Sequence, residues 1–231
     1  MKFATTLLLV LALTANLMAV ERVGRGDDTP TKPGAQLKGL SVIGVRFGVG
    51  HANEDVPDEV YSDYVVTADQ DGFFSELFFN WYFLNEFALE IGLAALNRGD
   101  FRFNIPGEGN FFGNINVYPI MFGLKVKPFS SFLDQVAQPY LGAGGSIVVG
   151  RALIEGGTVY NPYLYIDRSL ESETSLGWWM SAGFESFVAR NICLTSCFKY
   201  QNMDFNEPVG GFGDHSGYQI SFGVAYIFRD K

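Results

Sequence analysis

The sequence is poor in the side chains that carry most catalytic and metal chemistry, with two histidines and two cysteines in 231 residues. Cys193 and Cys197 sit in NICLTSCFK, inside a stretch that alternates like a strand. Four residues of strand cover about 13 Å, beyond the reach of a disulfide, so the two cannot pair there. Neither His51 nor His215 is near them in sequence, which argues against a shared metal site. Bases are scarce as well: 16 Lys and Arg stand against 25 Asp and Glu, and a net charge of −9 excludes the basic footprint of nucleic-acid binding. Beyond the first 20 positions no run reaches the roughly 18 apolar residues of a spanning helix, so none is expected.

The chain starts MKFATTLLLVLALTANLMAV, with Lys2, an apolar stretch from Leu7 to Leu13 and the small residue Ala19. This is the pattern of a secretory signal peptide over residues 1–19, cut after Ala19 or, as the alternative, after Ala15. The apolar stretch is too short for a membrane anchor, and Asn16 interrupts its distal end. Residues 20–38 are polar, contain Pro30 and Pro33 and show no periodicity, as a flexible leader does. The rest, 39–231, suits one all-β domain, rich in Phe, Tyr and Gly in place of helix formers.

From Gly39 the pattern has period two. Eight stretches emerge: Gly39–Gly50, Gly72–Leu84, Glu86–Asn97, Phe112–Lys127, Pro139–Arg151, Ser175–Val188, Ile192–Gln201 and Tyr218–Phe228. One face of each is bulky and apolar, for example Ile43, Val45, Phe47 and Val49 in the first. The opposite face holds Gly, Ala and Ser with a few charges. Pro119 is expected to disturb pairing in the fourth stretch. After Pro128, Ser130 or Ser131 is placed to cap a helical turn ending before Pro139.

A soluble barrel turns its apolar face inward and meets water with Lys, Glu, Thr and Ser. Here the second face is small, and the bulky aromatic face is too large for a narrow interior, so the polarity is inverted. Strands of about ten residues tilted by about 40° rise roughly 25 Å, the height of the apolar band of a membrane barrel. Without water partners in hydrocarbon, such strands must close into a ring. The expected fold is therefore all-β, a closed antiparallel eight-stranded transmembrane β-barrel. Short links at Leu84–Glu86, Pro128–Pro139 and Ala189–Asn191 lie on the side of both termini. Long loops at His51–Asp71, Arg98–Phe111, Arg151–Thr174 and Asn202–Ser216 lie on the other.

From Gly39 to Phe228 the sequence resembles the small outer-membrane β-barrel proteins of the OmpA, OmpX and OmpW kind. The resemblance rests on the final strand GYQISFGVAYIF and on VYPIMFGLKVKPF followed by PYLGAGGS. It implies a bacterial outer-membrane address, lipids and lipopolysaccharide as surroundings, and periplasmic chaperones and the barrel assembly machinery as partners in biogenesis. The assembly signal falls on Tyr218, Ile220, Phe222, Val224, Tyr226 and Phe228, although Arg229, Asp230 and Lys231 follow the last aromatic. The family's functions range from structural anchoring to passage of small hydrophobic molecules.

The charges assigned to the lumen are Arg46, Glu76, Glu90, Lys125, Lys127, Glu185 and Lys199, with Glu86 near the periplasmic rim. Unpaired charges in a narrow interior are costly, so these are expected to pair across it, as a plug or as a narrow gate for small solutes. The first outer loop carries Glu54, Asp55, Asp58, Glu59, Asp63, Asp69 and Asp71, a hydrated tip or a divalent-cation site. His51 and His215 flank strands that closure brings together. With Asp214 and Ser216 beside it, His215 raises a lipid-modifying Ser/His/acid site as an alternative, although neighbours in sequence seldom aim at one atom. No enzyme activity and no cofactor is expected. Trp81, Phe83, Tyr118, Trp178, Tyr200, Tyr218 and Phe228 are candidates for the interfacial girdles. A soluble lipocalin-like binding barrel would require the bulky face to turn inward.

Overall fold

The computed structural model describes residues 37–53, 67–68, 71–105, 109–130, 138–157, 167–189 and 191–228. The signal peptide, the leader up to residue 36, the carboxylates from Glu54 to Asp69 and most of the helical turn expected after Ser130 lie outside the described residues.

Eight long strands form the wall: β1 (Ser41–Ala52), β2 (Asp71–Tyr82), β3 (Phe87–Ile105), β4 (Gly109–Val126), β5 (Gln138–Gly157), β6 (Asp167–Ala189), β7 (Ile192–Asn202) and β8 (Gly217–Phe228). Each pairs antiparallel with the next, and β8 returns to β1 in unbroken register from Ser41 opposite Phe228 to Ala52 opposite Gly217. The ring therefore closes without a free edge, as backbone groups in hydrocarbon require.

Alternation sets the faces. Ile43, Phe47 and Val49 of β1, Phe73, Leu77 and Trp81 of β2, and Leu89, Ile91 and Leu93 of β3 point outward and are exposed. Arg46, Glu76 and Glu90, from the opposite parity, are buried inside. Rings gather at the two ends of this belt. Phe83 with Trp81 and Phe87, and Tyr226 with Phe228, mark the end where β1 begins and β8 finishes. Trp178 with Tyr200, and Tyr218 with Phe198 and His51, mark the far end.

The interior corrects the expectation that bulky rings are too large for it. Trp179, Tyr82, Tyr140, Phe74 and Phe78 are all fully buried. They fit because glycine faces them. A Cβ on Gly183 would come within 2.6 Å of the Tyr140 ring, and one on Gly123 within 2.7 Å of Trp179.

Two expected long loops are largely strand. β3 and β4 continue to Ile105 and from Gly109, and β5 and β6 to Gly157 and from Asp167. Between the pairs Asn97–Asn116 and Asp100–Asn114, two residues of β3 oppose the single Ile115. This bulge absorbs Arg98 and Gly99 and lets the ladder run on. Pro119 breaks pairing on one side only: the bridges from Leu93–Ile120 to Leu96–Val117 skip it, while its pairing with Val148 of β5 is intact. In β6, the 11 positions from Asp167 to Gly177 precede the outer-girdle Trp178 and cover about 35 Å along the strand, so the sheet stands clear of the belt.

The fourth long loop is a hairpin, with strands Asp204–Val209 and Phe212–Asp214. Gly210 and Gly211 turn it at φ of 63° and 85°, the left-handed backbone of a tight two-residue hairpin. It folds inward over the barrel mouth. At the other end Leu37, assigned by sequence to the leader, is buried with Leu40, Val42, Tyr82 and Ile227.

Candidate functional site: the charged lumen and its seal

Six wall strands each deliver charge to the interior. Arg46 comes from β1, Glu76 from β2, Glu90 from β3, Lys125 and Lys127 from β4 and its end, Glu185 from β6 and Lys199 from β7. All seven are buried. They form one alternating chain. Lys127 Nζ lies 2.6 Å from Glu185 Oε2, and Glu185 Oε1 lies 3.0 Å from Lys125 Nζ. Lys125 Nζ continues to Glu90 Oε2 at 2.6 Å, and Glu90 Oε1 to Arg46 Nη1 at 3.5 Å. Arg46 Nη1 then meets Glu76 Oε2 at 3.2 Å, and Glu76 Oε1 meets Lys199 Nζ at 2.8 Å.

Neutral groups brace the chain. Tyr82 Oη donates to Glu185 Oε2 at 2.9 Å. The amide orientation of Asn80 that satisfies its neighbours puts its oxygen 2.8 Å from Lys125 Nζ and its nitrogen 3.1 Å from Glu90 Oε2. Four cations face three carboxylates, and every cation also stands over a ring. Arg46 is 3.9 Å from the centre of Phe78, Lys125 4.3 Å from Tyr140, Lys127 4.5 Å from Tyr82 and Lys199 5.1 Å from Trp179. The buried aromatics thus spread the surplus positive charge over ring faces.

Beyond Lys199 the lumen turns apolar. Phe74, Leu96, Ile115, Val117, Val148 and Trp179 from the wall enclose Met203, Phe205, Val209 and Phe212 of the inturned segment. Two residues that sequence reading placed in loops hold this seal. Arg98 Nη1 donates to His215 Nδ1 at 3.1 Å, and His215 Nε2 lies 3.2 Å and 3.1 Å from the carbonyl oxygens of Val209 and Phe212. An arginine only donates, so Nδ1 accepts and Nε2 carries the proton; the imidazole is neutral. Burial, with Arg98 second, pushes the His215 imidazole down to about 4. The missed signal was PVGGFGD, two short runs about a Gly-Gly pair, which is a hairpin pattern.

The remaining candidates fall elsewhere. His51 Nδ1 is 2.7 Å from Asp71 Oδ1 on the rim at the hairpin's end of the barrel. His215 turns both ring nitrogens away from Ser216, whose hydroxyl accepts from the backbone N–H of Met203 at 2.8 Å. Cys193 and Cys197 are free thiols, both buried on the lumen side. Tyr218, Ile220, Phe222, Val224, Tyr226 and Phe228 lie on the outer face of β8, alternating with buried Gln219, Ser221, Ala225 and Ile227.

No protein-family model matches the sequence. No curated protein matches it either. Solved structures do. The chain is similar to the outer membrane protein OprG from Pseudomonas aeruginosa, with a TM-score of 0.59 at 17% identity, covering 84% of this chain and 97% of that one. It is also similar to Ail, the attachment invasion locus protein of Yersinia pestis, with a TM-score of 0.52 at 16% identity over 83% of this chain and 99% of the other. Neisserial surface protein A aligns with a TM-score of 0.51 at 17% identity, covering 83% and 98% of the two chains. Together with the closed ring and its outward apolar belt, these likenesses establish the fold: this chain is built as a small eight-stranded β-barrel of the outer-membrane type.

Proposed function

We propose that the chain is a structural outer-membrane barrel whose lumen is shut at neutral pH and which anchors an outward extension of β3 to β6. The observation that carries this reading is the unbroken ladder from Lys127 to Lys199, capped by the apolar seal on the outer side. Breaking into such a chain leaves buried charge unpaired, so an ion has no low-cost way through it. Purified protein in planar bilayers is expected to give no current steps near neutral pH; regular steps would contradict the reading.

A gated passage is the second reading, favoured by one observation. Among the described residues, Ser181 Oγ and Thr195 Oγ1, on residues paired with Lys199 and Glu185, and Ser146 Oγ and Gln201 Nε2 farther toward the seal, are buried without a protein partner. Such atoms are served by ordered water, a start for a polar path.

The bulky belt suits outer-membrane lipid, and the outer rings suit the headgroup level of lipopolysaccharide. The barrel assembly machinery and periplasmic chaperones are the proposed partners in biogenesis, with Tyr218, Ile220, Phe222, Val224, Tyr226 and Phe228 as the signal. We propose no catalytic role: His215 is spent on Arg98 and two carbonyls, and no serine or carboxylate meets its nitrogens in the hydrogen bonds described.

A further inference from the structure

We propose that the Asp204–Asp214 hairpin is an acid-released seal, latched by the neutral imidazole of His215 between Arg98 of β3 and the hairpin's own carbonyls. This rests on the reading of a shut lumen and adds how the shutter is controlled.

The latch joins three pieces. Arg98 belongs to the wall, Val209 and Phe212 to the two arms of the hairpin, and His215 to the link into β8. His215 is also fixed by its own backbone, whose N–H donates to Met203 O at 2.9 Å. The Phe205 and Phe212 rings pack edge-on against it at 5.3 Å and 6.3 Å. One small ring therefore ties both arms to the barrel.

Protonation removes the latch directly. Nδ1 would then point a proton at Arg98 Nη1, setting donor against donor and cation against cation at 3.1 Å inside a buried site. Asp214, next in the chain, favours the charged ring, but Arg98 opposes it more strongly. Among the described residues, other carboxylates bonded to the hairpin are Glu171 of β6, whose Oε2 accepts from Gly210 N at 2.8 Å, and Asp204, whose Oδ2 accepts from Asn202 Nδ2 at 3.0 Å.

The sign is as follows. The docked imidazole binds a proton less readily than the released one, so docking is fully stable above the ordinary histidine value and is lost as pH falls toward about 4. With a released value of about 6.5, the ratio of released to docked hairpin rises about twentyfold between pH 7 and pH 5.

The test uses the full protein in lipid nanodiscs, with a nitroxide on Glu207→Cys at the exposed face of the hairpin and with Cys193 and Cys197 replaced by alanine. Spectra taken from pH 7 to pH 4 should gain a mobile component as pH falls, reversibly and with the barrel's far-ultraviolet dichroism unchanged. His215→Gln keeps an acceptor for Arg98 and a donor for the carbonyls but does not titrate, so its spectrum should stay immobile throughout. A hairpin in the His215 protein that stays immobile down to pH 4 overturns the proposal by itself, whether or not the variant folds. So does an equal transition in His215→Gln, which would assign the release to Glu171, Asp204 or Asp214. Current steps at neutral pH with an immobile hairpin would instead count against the shut lumen and leave the latch standing.

Discussion

Glu185 ties together the half of the interior farther from the hairpin, receiving Tyr82, Lys125 and Lys127 on its two oxygens. Glu185→Ala leaves two buried ammonium groups short of a partner, and breaking one member out of a buried ionic group costs about 3–5 kcal/mol. The urea midpoint of the folded protein in vesicles should fall accordingly. Gly183→Leu should also destabilise, because its side chain has to displace the Tyr140 ring and the Ser196 carbonyl, an overpacking cost of about 1–3 kcal/mol or more, read in the same unfolding assay. At this scale the parity of the sequence puts Arg46, Glu76, Glu90, Lys125, Lys127, Glu185 and Lys199 on one face, so their shared location is legible. Their order along the ladder is not. That order depends on strand register and on how far each side chain reaches across the lumen, neither of which alternation encodes. The rings beneath the cations were hidden for a related reason: the room for Trp179 and Tyr140 is made by glycines on neighbouring strands.

The elements divide into those whose pattern declares them and those whose role depends on what lies under them. The belt strands are plain in the sequence because one side is uniformly apolar. The strand extensions are not, since outside the membrane both faces turn polar, as in RSLESETS before Leu176, and the bulge at Arg98 and Gly99 interrupts the pattern in β3. In the sequence the hairpin reads as a loop, because it is short and sits between polar residues. Replacing residues 204–214 by a short Gly-Ser link removes the apolar cap over Lys199 but leaves the ladder and the cluster of Leu37, Leu40 and Tyr82, so the barrel should assemble and still give no current steps in planar bilayers. Regular steps from the truncated protein would place the seal in the hairpin and not in the ladder. At the other end, Phe228 packs on Tyr226 at a ring separation of 4.9 Å and lies opposite Ser41 at the closing seam. Phe228→Ala should reduce the yield of assembled protein in outer membranes while leaving detergent refolding near normal; equal yields in the membrane would remove Phe228 from the assembly signal.

For the whole molecule, the distribution of apolar surface decides between membrane and water. Phe47, Phe73, Ile91, Phe122, Leu141 and Phe198 are each about half exposed around the outer wall, a contiguous belt that a soluble lipocalin-like barrel would bury. The interior, by contrast, is packed with paired charge and rings, shut at the end where β1 begins and β8 finishes by Leu37, Leu40 and Tyr82 and at the opposite end by the hairpin. The two native cysteines report on that interior without any substitution. Cys193 and Cys197 face the lumen with 1% and 3% of their surface exposed. The most direct test is to treat the folded protein in lipid vesicles, at neutral pH, with a small charged methanethiosulfonate reagent and count modified thiols by intact mass. A shut lumen predicts no modification until the protein is unfolded; rapid modification of either cysteine in the folded barrel would contradict it.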